Sequence, residues 1–359
     1  IYPVKGGKEK PLTGGLIKLG YGVLYTTPYV EAFYNSTRKN DMSYGVYYNH
    51  MSSAKGSFDD KNSQQSVNDI QLYGKRFFNK STLSTTISYR RNRYNYYGYG
   101  DVLNLDDSES VRDSLKQVYN QIYANVALAS ENEKSKLQYE LPIEFSNLST
   151  VNESKEMIIG SSSLWSYELN KETGINLPVD LYFMNYTNSF ENNGRVFFSL
   201  KPTYKKTLGK ISYEGGFNMT VDNDSFEEAK SFHLYPILRA SYTVNELKGT
   251  TVFAGVEGAM NRKDYTRVVQ ENPFVGDSTD VRNENVKIEL YGGVKGNLID
   301  KLSYKIKVGY KHVDNLMFYM NDSIVQSAFD VNYDQETVGV FSLNGSFMYS
   351  KFKKFDFGL

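Results

Sequence analysis

The chain has no cysteine, three histidines, a single tryptophan (Trp165) and no surplus of either charge, with 41 Lys and Arg against 41 Asp and Glu in 359 residues. Each shortage excludes something. Without cysteine there are no disulfides and no thiolate metal sites. His50, His233 and His312 lie far apart, with no second ligand at metal spacing, so no metal and no cofactor are expected. Balanced charge leaves no electrostatic footprint for nucleic acid. No apolar run reaches eighteen residues, which excludes a transmembrane helix. No signal peptide opens the sequence, as fits a mature or a cytosolic form.

What is abundant is aromatic: 31 Tyr and 21 Phe, in a chain whose mean hydropathy is nonetheless −0.51. That combination suits a barrel whose strands face water on one side only, and equally a large soluble β-protein. Periodicity separates the two. From Glu284 to Lys311, Val286, Ile288, Leu290, Gly292 and Val294 alternate with Lys287, Glu289, Tyr291, Gly293 and Lys295. After a turn at 298–301, Leu302, Tyr304, Ile306, Val308 and Tyr310 alternate with Ser303, Lys305, Lys307, Gly309 and Lys311. Period-two alternation on both sides of a tight turn is a β-hairpin with one apolar and one charged face. Ten tilted residues rise about 26 Å, close to the apolar band of an outer-membrane barrel.

The rest of the chain repeats the pattern. Residues 1–13 read as an irregular lead-in, and 14–359 as one barrel. Sixteen strand-like segments run from 14 to 350, with a seventeenth beginning at 354. The segment 108–131 could be helical, but Val118, Ile122, Val126 and Leu128 keep the period of a strand. Short turns (37–41, 78–81, 131–135, 171–174, 206–209, 244–249, 298–301, 351–354) alternate with longer connections (53–66, 97–116, 222–230, 261–283, 313–334). Short turns at one rim and long loops at the other are the habit of outer-membrane barrels. No repeat of propeller or solenoid length competes with that reading. The expected fold is all-β: a transmembrane, antiparallel, up-and-down barrel of about sixteen or more strands in a bacterial outer membrane.

Lipid selects the face. A lysine near the bilayer midplane costs roughly 2–4 kcal/mol, so Lys305 and Lys307 are expected inside and Ile306 and Val308 outside. The same argument turns Ile211, Tyr213, Phe217 and Met219 outward and Glu214 and Asn218 inward. Glu214, Asn218, Lys287, Glu289, Lys295, Lys305 and Lys307 are thus the expected lumen lining.

Leu19-Gly20-Tyr21-Gly22 with Glu31, Ser43-Tyr44-Gly45-Val46-Tyr47, Glu271-Asn272-Pro273-Phe274 and Gly292-Gly293-Val294-Lys295-Gly296 resemble outer-membrane barrels related to TonB-dependent receptors. The resemblance is to the plug-less, Tyr/Asn/Lys-rich proteins of Bacteroidota in particular, and it spans most of the chain through short motifs. It implies passage or uptake of a small polar solute by a protein that is not an enzyme. Two departures stand out: strands begin by about Gly14, where such receptors carry a plug, and the end at Phe357-Gly358-Leu359 implies further strands beyond it.

Other candidates follow from single features. Long loops and an apolar wall would equally serve a scaffold subunit that docks other envelope proteins or lipoproteins. Arg90, Arg91 and Arg93, among Tyr94, Tyr96 and Tyr97, make a basic-aromatic patch that could hold lipopolysaccharide or lipid A phosphates or a carbohydrate at the rim; the plainer reading is a charged girdle above it. His50 and Ser52 share the outward row of their strand, and Asn68 opens the next. A His-x-Ser pair with a polar orienter resembles the site of outer-membrane phospholipases and lipid A deacylases. The plainer reading of the trio is a hydrogen-bonded cluster at the rim.

Overall fold

The computed structural model describes residues 14–36, 41–56, 63–96, 115–131, 135–188, 192–223, 232–246, 249–276, 279–299, 302–321, 328–334, 336–352 and 355–358. Nearly all of them are strand. The first wall segments are β1 (Gly15–Gly22), β2 (Thr27–Asn35), β3 (Met42–Ser53), β4 (Gln65–Phe77) and β5 (Ser81–Asn95). There follow β6 (Lys116–Ser130), β7 (Leu137–Thr150), β8 (Lys155–Asn170), β9 (Thr173–Thr187), β10 (Asn192–Leu200) and β11 (Thr203–Leu208). The chain continues through β12 (Ile211–Asp222), β13 (Phe232–Asn245), β14 (Thr250–Asn261) and a helix, α1 (Tyr265–Glu271). Last come β15 (Glu284–Ile299), β16 (Leu302–Asp314), a small hairpin β17 (Met317–Asn321) and β18 (Phe329–Tyr333), then β19 (Val338–Phe352) and β20 (Phe355–Gly358).

Eighteen of these strands form one antiparallel up-and-down sheet, in which β16 pairs with β19 past the separate β17–β18 hairpin. β10 and β11 both pair with β9 and β12, so they are two halves of one interrupted stave, and the sheet has 17 staves. The break falls at Lys201-Pro202, because proline has no N–H to give the ladder. Of the region 108–131, helical or extended by sequence, residues 116–130 are a strand paired with β5 and β7, and 108–114 lie outside the described residues. β1 and β20 are the two ends of the sheet; among the described residues neither pairs with the other. The sheet curves into a barrel wall, since the one segment 262–283 touches β5 through Phe274 and Tyr94, β8 and β12 at the same time.

Alternation is clear on β15, β16 and β19. Leu290, Val308, Tyr310, Phe341 and Leu343 are exposed on the outside, Phe341 and Leu343 by 68% and 69%. The opposite face carries the polar rows. Two features depart from the sequence reading. The connections 261–283 and 313–334 are not irregular: the first holds α1 and the second holds β17 and β18. Both pack inside the mouth of the barrel at the long-loop end.

Candidate functional site

The inner segment begins at Asp264, whose side chain accepts the Arg267 N–H at 2.9 Å and caps α1. Tyr265, Val268 and Val269 fall at spacing i, i+3 and i+4, one face of a helix. That face is buried, with Tyr265 fully so and Val268 1% exposed. It packs with Val275, Val281 and the wall residues Tyr119 and Leu148. Met317, Tyr319, Phe329 and Val331 of the hairpin close over the cluster. A helical cap followed by that spacing inside a supposed loop was the signal available in the sequence.

The wall supplies what the segment's backbone lacks. Glu156 on β8 accepts the N–H groups of Tyr265 at 2.9 Å and Thr266 at 2.7 Å, and the Thr266 hydroxyl at 2.6 Å. Tyr119 donates to the Pro273 carbonyl at 2.9 Å, Tyr96 to the Val275 carbonyl at 3.2 Å, and Arg195 to the Val281 carbonyl at 2.9 Å. Asn283 donates to Asp222 at 2.6 Å on the far side. A buried loop needs such partners, because an unpaired backbone polar group costs about as much as a lost hydrogen bond. The segment is therefore a built roof over the lumen.

Arg262, just before the roof helix, projects below it. Its guanidinium lies 3.5 Å from the Tyr182 ring centroid, 3.6 Å from Asp264 and 3.8 Å from Glu144. Burial pulls this group below its ordinary range, and Asp264 opposes the shift. Two cavities flank it. One of about 460 Å³ is bounded by Asp180, Lys201, Lys263, Arg267, Glu284 and the Arg262 side chain itself. The other, about 250 Å³, is bounded by Arg90, Gln121, Tyr123, Glu144 and Gln270. Both are lined by polar side chains, and the larger is of a size that admits a small solute.

Apart from Lys287, the residues expected to line the lumen fall on one side of the sheet, in a second neighbourhood on β12–β16. Glu214 lies 3.4 Å from Arg239, which also bonds Glu257. Glu289 pairs with Lys307 at 2.7 Å, and the Lys307 ammonium stands 4.1 Å from the Tyr291 ring. Lys305 stands 6.0 Å from the Phe253 ring and faces Lys295 across the ladder. Among the described residues these two lysines have no carboxylate partner. Asn218 is buried and holds Ser199 at 3.0 Å and the Gly258 carbonyl at 3.4 Å. Lys287 falls where a bulge breaks the register between Val286 and Ile288, and it bonds Asp314 at 2.8 Å and Thr337 at 2.9 Å near the rim. Bulges displace a side chain from the simple alternation.

The three arginines separate. Arg90 pairs with Asp69 at 2.8 Å and faces the inner cavity, so it is not a rim contact for lipid. Arg91 and Arg93 flank the opposite face, Arg93 bonding Gln64 at 3.2 Å. A strand cannot present three near-consecutive residues on one side. His233 stacks 6.0 Å from Tyr235, and His312 meets Tyr310 edge-on at 5.1 Å.

No family model matches the sequence, and no curated protein matches it. Solved structures do. The siderophore receptor PirA from Pseudomonas aeruginosa aligns with a TM-score of 0.64 at 10% identity, over 92% of this chain and 61% of that one. The FrpB iron transporter from Neisseria meningitidis aligns with a TM-score of 0.64 at 11% identity, over 91% and 58%. A variant of the ferric enterobactin receptor from Pseudomonas aeruginosa, in complex with enterobactin, aligns with a TM-score of 0.64 at 13% identity, over 96% and 61%. The chain thus spans about three fifths of the length of these structures. At such low identity the likeness is one of fold, and that fold is the antiparallel β-barrel of the outer-membrane receptors.

Proposed function

We propose that the chain forms the wall of an outer-membrane barrel that takes up a small polar solute through a roofed lumen, in the manner of a receptor and not of an open pore. Passage of a small solute is supported by the barrels it resembles in fold, which are named as siderophore receptors and an iron transporter. The membrane setting is supported by the charge-poor, exposed outer rows, since contiguous apolar patches of that extent are rare on proteins that meet only water. The single observation that carries the receptor reading is Arg262. It is held by Tyr182, Glu144 and Asp264 directly beneath a packed roof, with a polar cavity on each side. A freely conducting pore has no use for a hydrogen-bonded lid across its mouth. A mixed lining of Arg267, Lys201 and Lys263 with Asp180 and Glu284 suits a solute bearing both donors and acceptors. The lumen-lining residues Glu214, Asn218, Glu289, Lys295, Lys305 and Lys307 would form the path below it.

The test is conductance of the full chain in planar bilayers. The protein is expected to conduct weakly, and replacing 262–283 with a short Gly-Ser linker is expected to raise conductance at least fivefold. A large, steady conductance before that replacement would overturn the gate. No change after it would overturn passage through this lumen.

A further inference from the structure

The outer wall carries a hydrogen-bonded chain that the uptake reading does not use. His50 Nδ1 lies 2.6 Å from Asn68 Oδ1, and His50 Nε2 lies 3.2 Å from the Ser52 hydroxyl. Asn68 Nδ2 in turn donates to Ser66 at 3.1 Å, which turns the amide carbonyl toward the imidazole. The register between β3 and β4 makes this possible: His50 stands opposite Asn68 and Ser52 opposite Ser66. All four lie on the face that also bears Ile70, and Arg91 stands beside Asn68 across the β4–β5 ladder. With the Nδ1 proton donated to Asn68, Nε2 is left as an acceptor for the serine proton. That is the arrangement of nucleophile, base and orienter required for acyl transfer.

We infer that Ser52, His50 and Asn68 form a serine-hydrolase site for acyl esters on the outer wall of the barrel. Ser52 Oγ bonds to the acyl carbonyl carbon while its proton passes to His50 Nε2. The tetrahedral intermediate then breaks its bond to the alcohol oxygen, which takes that proton and leaves. Water attacks the acyl-serine, gives its proton to His50, and the acid departs as the proton returns to Ser52 Oγ. The net change is ester plus water to acid plus alcohol. Asn68 is a positioning residue that holds the imidazole tautomer.

The substrate class follows from height and charge. Ser52 lies ten residues beyond Met42, the short-turn end of β3, which is about 26 Å up a tilted strand and near the top of the apolar band. Ester groups of membrane lipids lie at that level, and Arg91 and Arg93 offer cations to an anionic headgroup. The lipid assignment rests on the outer-membrane reading above; the nucleophile rests on the hydrogen-bond chain alone.

The experiment keeps these apart. Full-length chain in detergent is treated with a fluorophosphonate probe, and the modified residue is mapped by mass spectrometry. Labelling at Ser52 is expected, with loss of about a hundredfold or more in Ser52→Ala and His50→Gln. Asn68→Ala is expected to slow it about tenfold and Asn68→Asp, which still accepts from Nδ1, to restore it. Each variant is checked for the heat-modifiable gel mobility of a folded barrel, and Ser52→Cys, alkylated by iodoacetamide, gives a second readout of the activated position. No labelling of Ser52 in the folded chain, or equal labelling of Ser52→Ala, overturns the site. Vesicles of phosphatidylethanolamine and phosphatidylglycerol carrying a dye-labelled acyl chain test the substrate. Release of free acid dependent on Ser52 supports the lipid class, and probe labelling without release overturns that class while leaving the nucleophile in place.

Discussion

The wall of β5–β9 and the wall of β12–β16 have the same strand geometry and the same alternation, yet their inner faces do opposite things. On β12–β16 most inner charges below the roof pair across neighbouring staves, Glu214 and Glu257 with Arg239 and Glu289 with Lys307, while Lys295 and Lys305 oppose each other without a carboxylate. On β5–β9 the inner polar groups are committed to the roof: Tyr119 to Pro273, Glu156 to the start of α1, and Glu144 to Arg262. The lesson is that an inward polar row says only that a side chain avoids lipid. Whether it lines open water or holds a second layer of protein depends on what the long loops bring to it.

Four substitutions test that contrast, from the largest effect to the smallest. Val268→Asp places an unpaired carboxylate in the buried roof cluster and should cost about 3 kcal/mol or more of roof stability. Limited proteolysis within 262–283 should accelerate while the heat-modifiable mobility of the barrel is unchanged. Equal destabilisation of roof and barrel would show that they are one cooperative unit. Glu156→Ala strips three hydrogen bonds from the start of α1, and a loss of about 2 kcal/mol is expected. Hydrogen exchange should rise at Tyr265 and Thr266 and stay unchanged on β12–β16.

Arg239→Ala belongs to the opposite wall. Its ion pairs are partly exposed to the lumen, so no more than about 1 kcal/mol is expected from urea unfolding. The clearer effect is on selectivity: freeing Glu214 and Glu257 should shift the reversal potential toward cations when the roof has been removed. Lys305→Glu is the mildest. It replaces a like-charge opposition to Lys295 with an ion pair, and stability should move by less than about 0.5 kcal/mol in the favourable direction. A loss as large as that of Val268→Asp would mean that Lys305 holds structure of its own.

Much of the fold was legible because β-periodicity is local. The 117–130 segment resolved as a strand on its own alternation, and Lys305 and Lys307 share a face because two residues separate them. The same alternation could have parted Arg90 from Arg91. The roof was less legible, because α1 is only seven residues long and its apolar face looks no different from a loop with a few valines. Asp264 at the cap and Tyr265, Val268 and Val269 at helical spacing were the only local clue.

Charge pairing was not legible at all. Arg239 reaches Glu257 and Glu214 from different staves, and their meeting depends on register across three strands.

The sequence by itself determined which rows of the staves are apolar and which are polar, and roughly where most staves begin and end. Those properties follow from the two-residue repeat of a strand and from the cost of burying charge in hydrocarbon. Only the tertiary structure decided that 262–283 folds inward as a roof, that most inner lysines and arginines are paired, and that Asn68 falls 2.6 Å from His50. Those depend on how separate staves align and on where a long loop finds partners for its backbone, and neither is written in any one stretch of chain.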